Sequence, residues 1–248
     1  MSLILLISLS ACIGSFLNML IHRLPREEDI FIKRSHCPNC NKTLRWFHLI
    51  PLLSFIGQKG HCSFCKKKIS LRYLIVEIAS ICIAILTYST LGIGPEFWKL
   101  SLGLYILLAC YFTDLETQIL PNSLTIGLVI LGLGFSMYHQ TLVPHCLAIL
   151  YCSGSLIIIE KLSFWYYKKP ALGWGDIKLS AGLAAMWGLK ITSTALFLSF
   201  LIGGIYAIYL ITLKKRSKTS YLAFGPFIII GTLISLKYSD AILTFYGF

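Results

Sequence analysis

Negative charge is scarce in this chain: ten aspartates and glutamates stand against 22 lysines and arginines in 248 residues. Charged residues of both signs make up only 13% of the sequence, about half the share usual in a soluble domain. With 56% hydrophobic residues and a mean hydropathy of +0.77, an ordinary soluble enzyme is excluded and a polytopic membrane protein is indicated. The first apolar run has no basic residue before it and no convincing small-residue cleavage site, which argues against a cleavable signal peptide. Its basic residues, Arg23 and Arg26, follow it, a pattern that anchors a helix with its N-terminus outside.

Apolar stretches fall at about 2–21, 73–91, 97–113, 123–138, 146–162, 177–189, 191–213 and 226–245. The stretch "WGLKI" around Gly188 and Lys190 divides the sixth from the seventh, so the expectation is an all-α protein with eight transmembrane helices. Lysine and arginine collect in alternate loops, as they do on the cytoplasmic side of a membrane. Loop 22–72 holds eleven of them, loop 214–225 adds Lys214, Lys215, Arg216 and Lys218, and loop 163–176 adds Lys168 and Lys169. Only Lys99, Lys190 and Lys237 fall toward the other face. This pattern predicts an N-out/C-out topology. The basicity therefore reports topology and a lipid surround, and no nucleic-acid partner is expected.

Three regions follow: a first helix at 1–21, a cytoplasmic insert at 22–72 and a membrane core at 73–248. The insert carries "HCPNC" and "HCSFC", which place Cys37, Cys40, Cys62 and Cys65 in two C-x2-C pairs. Each pair can turn two thiolates onto one ion, and two pairs make the tetrahedral sulfur set of a closed structural zinc site. Unrelated thiols or two disulfides are the plainer alternative, and a reducing cytoplasm disfavours the disulfides. His36 and His61 precede the pairs and read as flanking surface residues. Cys12, Cys82, Cys110, Cys146 and Cys152 fall in or at the ends of apolar spans and read as small core residues.

So few acidic residues can be weighed singly. Glu27, Glu28 and Asp29 form a solvated run, and Glu96 and Asp240 sit toward outer loops or ends. Glu77, Asp114, Glu116, Glu160 and Asp176 remain in or beside apolar spans, where an ionisable group is a functional candidate by default. Asp114 ends the third span in "CYFTDLETQILPNSLT", after which Pro121-Asn122 turns the chain and Ser123 is the expected N-cap. Asp176 opens the sixth span in "GWGDIKL". By the charge pattern both lie at the cytoplasmic boundary of the membrane.

Two adjacent carboxylates do not both ionise readily, so one keeps a proton while the other can deprotonate a water, as in aspartic proteases. The plainer role for Asp176 is a helix cap. A second aspartate at the same depth favours catalysis.

"GSFLNMLIHRLP", the two C-x2-C pairs, "IPLLSF", "ISLRYLIVE", "DLETQILPN", "GWGDIKL" and "FGP" together resemble the bacterial type IV prepilin peptidases, in order and over almost the whole chain. The resemblance implies a multi-pass aspartic peptidase of the bacterial cytoplasmic membrane. Such an enzyme removes the short basic leader of type IV prepilins and pseudopilins, with Asp114 and Asp176 as the catalytic pair. It also implies N-methylation of the new N-terminal residue with S-adenosylmethionine, since the cysteine-bearing insert is typical of the bifunctional members.

"DLE" has Glu116 where many relatives have a second aspartate, which makes Glu116 the rival to Asp114. No glycine-rich fingerprint follows a strand, so the usual methyltransferase fold is absent. Glu77 can hold a substrate amine or pair with Arg72, Asn18 suits an interhelical hydrogen bond, and Glu160 reads as an interfacial group; none is assigned to methyl transfer. The alternatives are a presenilin-like protease with another substrate, since G-x-G-D occurs there too, and a proton- or cation-coupled transporter.

Overall fold

The computed structural model describes residues 3–30, 34–168, 172–213 and 223–245. Lys33, Lys169, Lys214, Lys215, Arg216 and Lys218, counted above as cytoplasmic, lie outside them. The described structure is helical: α1 (Leu3–Arg23), α2 (Leu53–Gly57), α3 (Leu71–Leu91), α4 (Pro95–Thr117), α5 (Asn122–Tyr138), α6 (Leu142–Tyr167), α7 (Trp174–Thr212) and α8 (Gly225–Phe245). Two short 3-10 turns and two isolated β-bridges complete the insert and its approach.

Six of these helices, α1, α3, α4, α6, α7 and α8, are long and apolar enough to cross a membrane, while α5 is apolar but has 17 residues. The sequence divides 177–213 with a loop, and the structure does not. One 39-residue run is broken at a single residue, Gly188, where φ of 75° and ψ of −173° leave the helical region. A glycine can adopt that backbone without steric cost, so no loop is needed to end one helix and begin the next.

The contacts gather into two compact units, Met1–Ala109 and Cys110–Phe248. In the first, α1 packs along α3. They meet so closely at Gly14 that a Cβ there would lie 2.8 Å from Glu77 Cα. Asn18 Nδ2 donates to the Tyr73 carbonyl at 2.9 Å, an interhelical bond that pins the pair. The Tyr105 hydroxyl of α4 donates to the Ser80 carbonyl of α3 at 3.3 Å.

In the second unit α7 packs against α5, α6 and α8. Its interior is unlike that of a soluble bundle. Thr125, Ser180, Ser199 and Thr232 are fully buried, and each hydroxyl donates to a carbonyl three or four residues back. Large aliphatic side chains such as Ile130, Val143 and Leu150 point outward. Lipid removes the hydrophobic drive between helices, so small and hydroxyl-bearing residues gain by letting backbones approach.

Two expectations change here. Glu160 is buried rather than interfacial, because it continues the four-residue stripe Ala148, Cys152, Leu156 along the inner face of α6. Of the five cysteines outside the insert, Cys110 and Cys152 are buried, whereas Cys12, Cys82 and Cys146 are exposed on apolar helices.

Candidate active site

Asp114 lies in the last turn of α4 and Asp176 in the first turn of α7, both within Cys110–Phe248. Both are buried, with 5% and 8% of their surface exposed. Leu120 links their surroundings, lying beside Gly175, which precedes Asp176, and beside Gly225, which meets Asp114.

Local chemistry places each one. After Asp114 the helix closes through the Gln118 N–H to the Asp114 carbonyl at 2.9 Å, with Gln118 at a φ of 54°. Helix α5 then starts at Asn122 with Pro121 at its N-cap, so Ser123 lies inside the first turn rather than capping it. Helix α7 starts from Gly173 in extended conformation. Asp176 is the third residue of that helix and its carboxylate reaches back to the Gly173 N–H. This is half of a capping box, and it places an acid where the helix dipole favours one. The capping role and a catalytic role are compatible in one side chain.

Three contacts tie the helix ends around the two aspartates to their neighbours. Lys178 Nζ donates to Asn122 Oδ1 at 2.8 Å, tying the start of α7 to the start of α5. Leu120, just before the Pro-Asn turn, fills the space beside Gly175, where a Cβ would lie 2.9 Å from its own Cβ. The first residue of α8, Gly225, directs its N–H toward the Asp114 carboxylate. Asp114 Oδ2 is fully buried and has no hydrogen-bond partner among the described residues. The rival Glu116 is exposed on the same helix end. Asn122, Lys178, Leu120 and Gly225 were not singled out from the sequence as site residues; "FGP" was visible as a motif, but nothing in it shows which carboxylate its glycine meets.

The four thiols of the insert form a second constellation. All four Sγ atoms lie within 4.8 Å of one another, and Cys37 Sγ and Cys65 Sγ are 3.9 Å apart. A tetrahedral zinc with Zn–S bonds of about 2.3 Å sets its sulfurs about 3.8 Å apart. The donor set and spacing therefore fit such an ion.

The two cysteine pairs also fold alike. Asn41 N–H and Lys66 N–H close onto the carbonyls of Cys37 and Cys62, at 2.8 and 2.9 Å. Asn41 and Lys66 both take the left-handed conformation. Matching β-bridges join His36 to Thr43 and His61 to Lys68. The backbone N–H groups of Cys65 and Phe64 pull the Cys62 thiol down to about 6, and burial pushes Cys37 up to about 11. His36 Nδ1 and His61 Nδ1 face the carbonyls of Arg34 and Lys59, and the four thiols make a full tetrahedral set without either ring.

Residues 101–208 match the model of the type IV leader peptidase family, and residues 8–91 match that of the bacterial peptidase A24 N-terminal domain. A prepilin leader peptidase/N-methyltransferase of Aeromonas salmonicida is 33% identical over 274 residues, spanning 99% of this chain and 93% of that protein. The chain belongs to the type IV leader peptidase family. Relatives with the same name from Bacillus subtilis and Pseudomonas aeruginosa are each 29% identical, over 94% and 98% of this chain. No solved structure matches. Membership makes this a multi-pass inner-membrane protein.

Proposed function

We propose that the chain removes the short basic leader from type IV prepilins and related pseudopilins at the cytoplasmic membrane face, with Asp114 and Asp176 as its catalytic pair. The methyl transfer that follows modifies the new N-terminal residue. The carrying observation is two buried aspartates, one in the last turn of α4 and one in the first turn of α7, with Leu120 packed both on Gly175 beside Asp176 and on Gly225 beside Asp114. The ionised carboxylate takes a proton from water, and the protonated one hydrogen-bonds the scissile carbonyl. Attack gives a tetrahedral adduct, whose collapse breaks the C–N bond as a proton passes to the leaving amine. The pair shares its proton, so neither aspartate has a fixed acid or base role.

A prepilin lying as a transmembrane helix with its leader in the cytoplasm brings the cleavage point to the depth where the charge pattern puts these aspartates. An N-out/C-out arrangement of eight spans goes with that reading. Zinc on Cys37, Cys40, Cys62 and Cys65 folds the insert, and four thiolates leave it no open position for catalysis. S-adenosylmethionine supplies the methyl group.

The test is mass spectrometry of a co-expressed prepilin with the wild type, Asp114→Asn and Asp176→Asn. Wild type should yield a mature N-terminal peptide heavier by one methyl group. Either variant should leave the leader attached while remaining in the membrane fraction. Normal cleavage by both variants overturns the assignment.

A further inference from the structure

The insert turns large apolar side chains outward. Trp46, Leu53 and Ile56 are 77%, 68% and 66% exposed. Trp46 belongs to the 3-10 turn Trp46–Leu49, and the other two belong to α2. Phe47, also exposed, meets the Trp46 ring edge-on at 5.8 Å. Between Arg34 and Lys68 the insert has seven lysines and arginines and no aspartate or glutamate. Two of these cations, Arg45 and Lys59, are exposed and bracket the apolar segment.

One bond sets the depth of this segment. Oε2 of Glu77 in α3 accepts the Leu52 N–H at 2.7 Å. Glu77 lies six residues past the start of α3, about 9 Å along its axis. With 21 residues α3 is about 30 Å long, the thickness of a hydrocarbon core. The Leu52 turn is thus clasped to a level inside the point where α3 enters the apolar layer. Interfacial segments bury their apolar face to a similar depth, about 5–10 Å.

The backbone suits the same place. At membrane depth an irregular backbone is tolerated only where its polar groups find partners within the protein. Pro51 has no N–H to satisfy, and the Leu52 N–H goes to Glu77. Those of Leu53, Ser54 and Ile56 go to the carbonyls of Pro51, Ile50 and Leu52. With φ of 62° and ψ of −54°, Leu52 forms a γ-turn of the rare, strained kind. Such a turn persists only when its surroundings over-determine it, and the buried Glu77 carboxylate supplies that constraint.

We propose that residues 46–56 form an interfacial wedge in the leaflet on the insert's side of the membrane. Trp46, Leu53 and Ile56 lie among the upper acyl chains, and Arg45 and Lys59 meet anionic headgroups. Lipid is the occupant that matches every feature. Tryptophan favours the headgroup boundary, and an acid-free cationic rim attracts anionic lipid. Both ends of the insert continue into helices long and apolar enough to span, which keep it at the surface. The proposal requires only that α1 and α3 cross the membrane and is independent of the leader-peptidase reading.

The test uses the full-length protein in nanodiscs of phosphatidylethanolamine and phosphatidylglycerol. The photoreactive amino acid benzoylphenylalanine replaces Trp46, Leu53 or Ile56 in turn, with the exposed Asn39 of the first cysteine knuckle as the control position. After irradiation, mass spectrometry should find phospholipid adducts at the three positions severalfold above those at Asn39. A second measurement leaves the segment unaltered. The Trp46 emission, taken as wild type minus Trp46→Phe, should be quenched by phospholipid brominated near the headgroup.

Adducts that fall mainly on residues 110–248, or on a co-reconstituted prepilin, overturn the lipid assignment in favour of those partners. Lipid yields no higher than at Asn39, or a Trp46 emission untouched by brominated lipid, overturn the wedge itself. In nanodiscs of phosphatidylcholine alone the yield at Leu53 should fall severalfold. An equal yield there overturns the headgroup contacts given to Arg45 and Lys59.

Discussion

A methyl group placed on Gly225 would stand 2.6 Å from Oδ2 of Asp114, well inside van der Waals contact of carbon and oxygen. The first residue of α8 therefore sets how near its backbone N–H comes to a buried carboxylate. Gly225→Ala is expected to push the carboxylate out of register with Asp176. A displacement of about 1 Å at a reacting group can cost about a hundredfold in rate. Leader cleavage by Gly225→Ala should fall by that order at normal membrane abundance; an unchanged rate would show that the close approach is incidental.

Glu116 and Asp114 sit two residues apart, and only Asp114 turns inward. Glu116→Gln should cleave within about twofold of wild type, whereas Asp114→Asn should lose the roughly 10²–10⁴-fold that a positioned acid or base contributes. Initial rates on a synthetic prepilin peptide separate the two. The reverse ranking would move the active carboxylate to Glu116.

Leu120 fills the space beside Gly175 and Gly225 and is 9% exposed. Leu120→Ala opens a cavity there, and such truncations cost about 2–5 kcal/mol in well-packed interiors. Thermal unfolding in detergent should show a lower midpoint. Cleavage should fall with it, because the starts of α7 and α8 lose their common spacer. A midpoint equal to that of wild type would show that neighbouring side chains close the gap.

Cys37 and Cys62 each open one of the two matched knuckles. Cys37→Ser or Cys62→Ser should lower the bound zinc of purified protein from equimolar to a small fraction. Protease susceptibility should then rise in 34–68, because binding energy at a structural site is folding energy. Metal content unchanged in both variants would exclude the four-thiol site.

The sequence alone was enough for a helical membrane protein and for the two C-x2-C pairs, because those signals are local. Apolar run length follows from membrane thickness, and a C-x2-C turn brings its own two sulfurs together. The two aspartates were legible as candidates by their rarity at span ends. Their burial, and the inward turn of Asp114 rather than Glu116, came from the packing of helix ends far apart in the chain.

The same holds for what surrounds them. Gly225 approaches Asp114 at a sequence separation of 111, and Leu52 reaches Glu77 at a separation of 25. No periodicity encodes such pairs. The break in α7 differs again: "WGLKI" announced an interruption, but one positive-φ glycine sufficed where a loop was expected. Composition and spacing thus determined the class of protein and its candidate chemistry. Tertiary structure decided which carboxylates are buried together and which backbone groups hold them, because those relations depend on helix contacts rather than neighbouring residues.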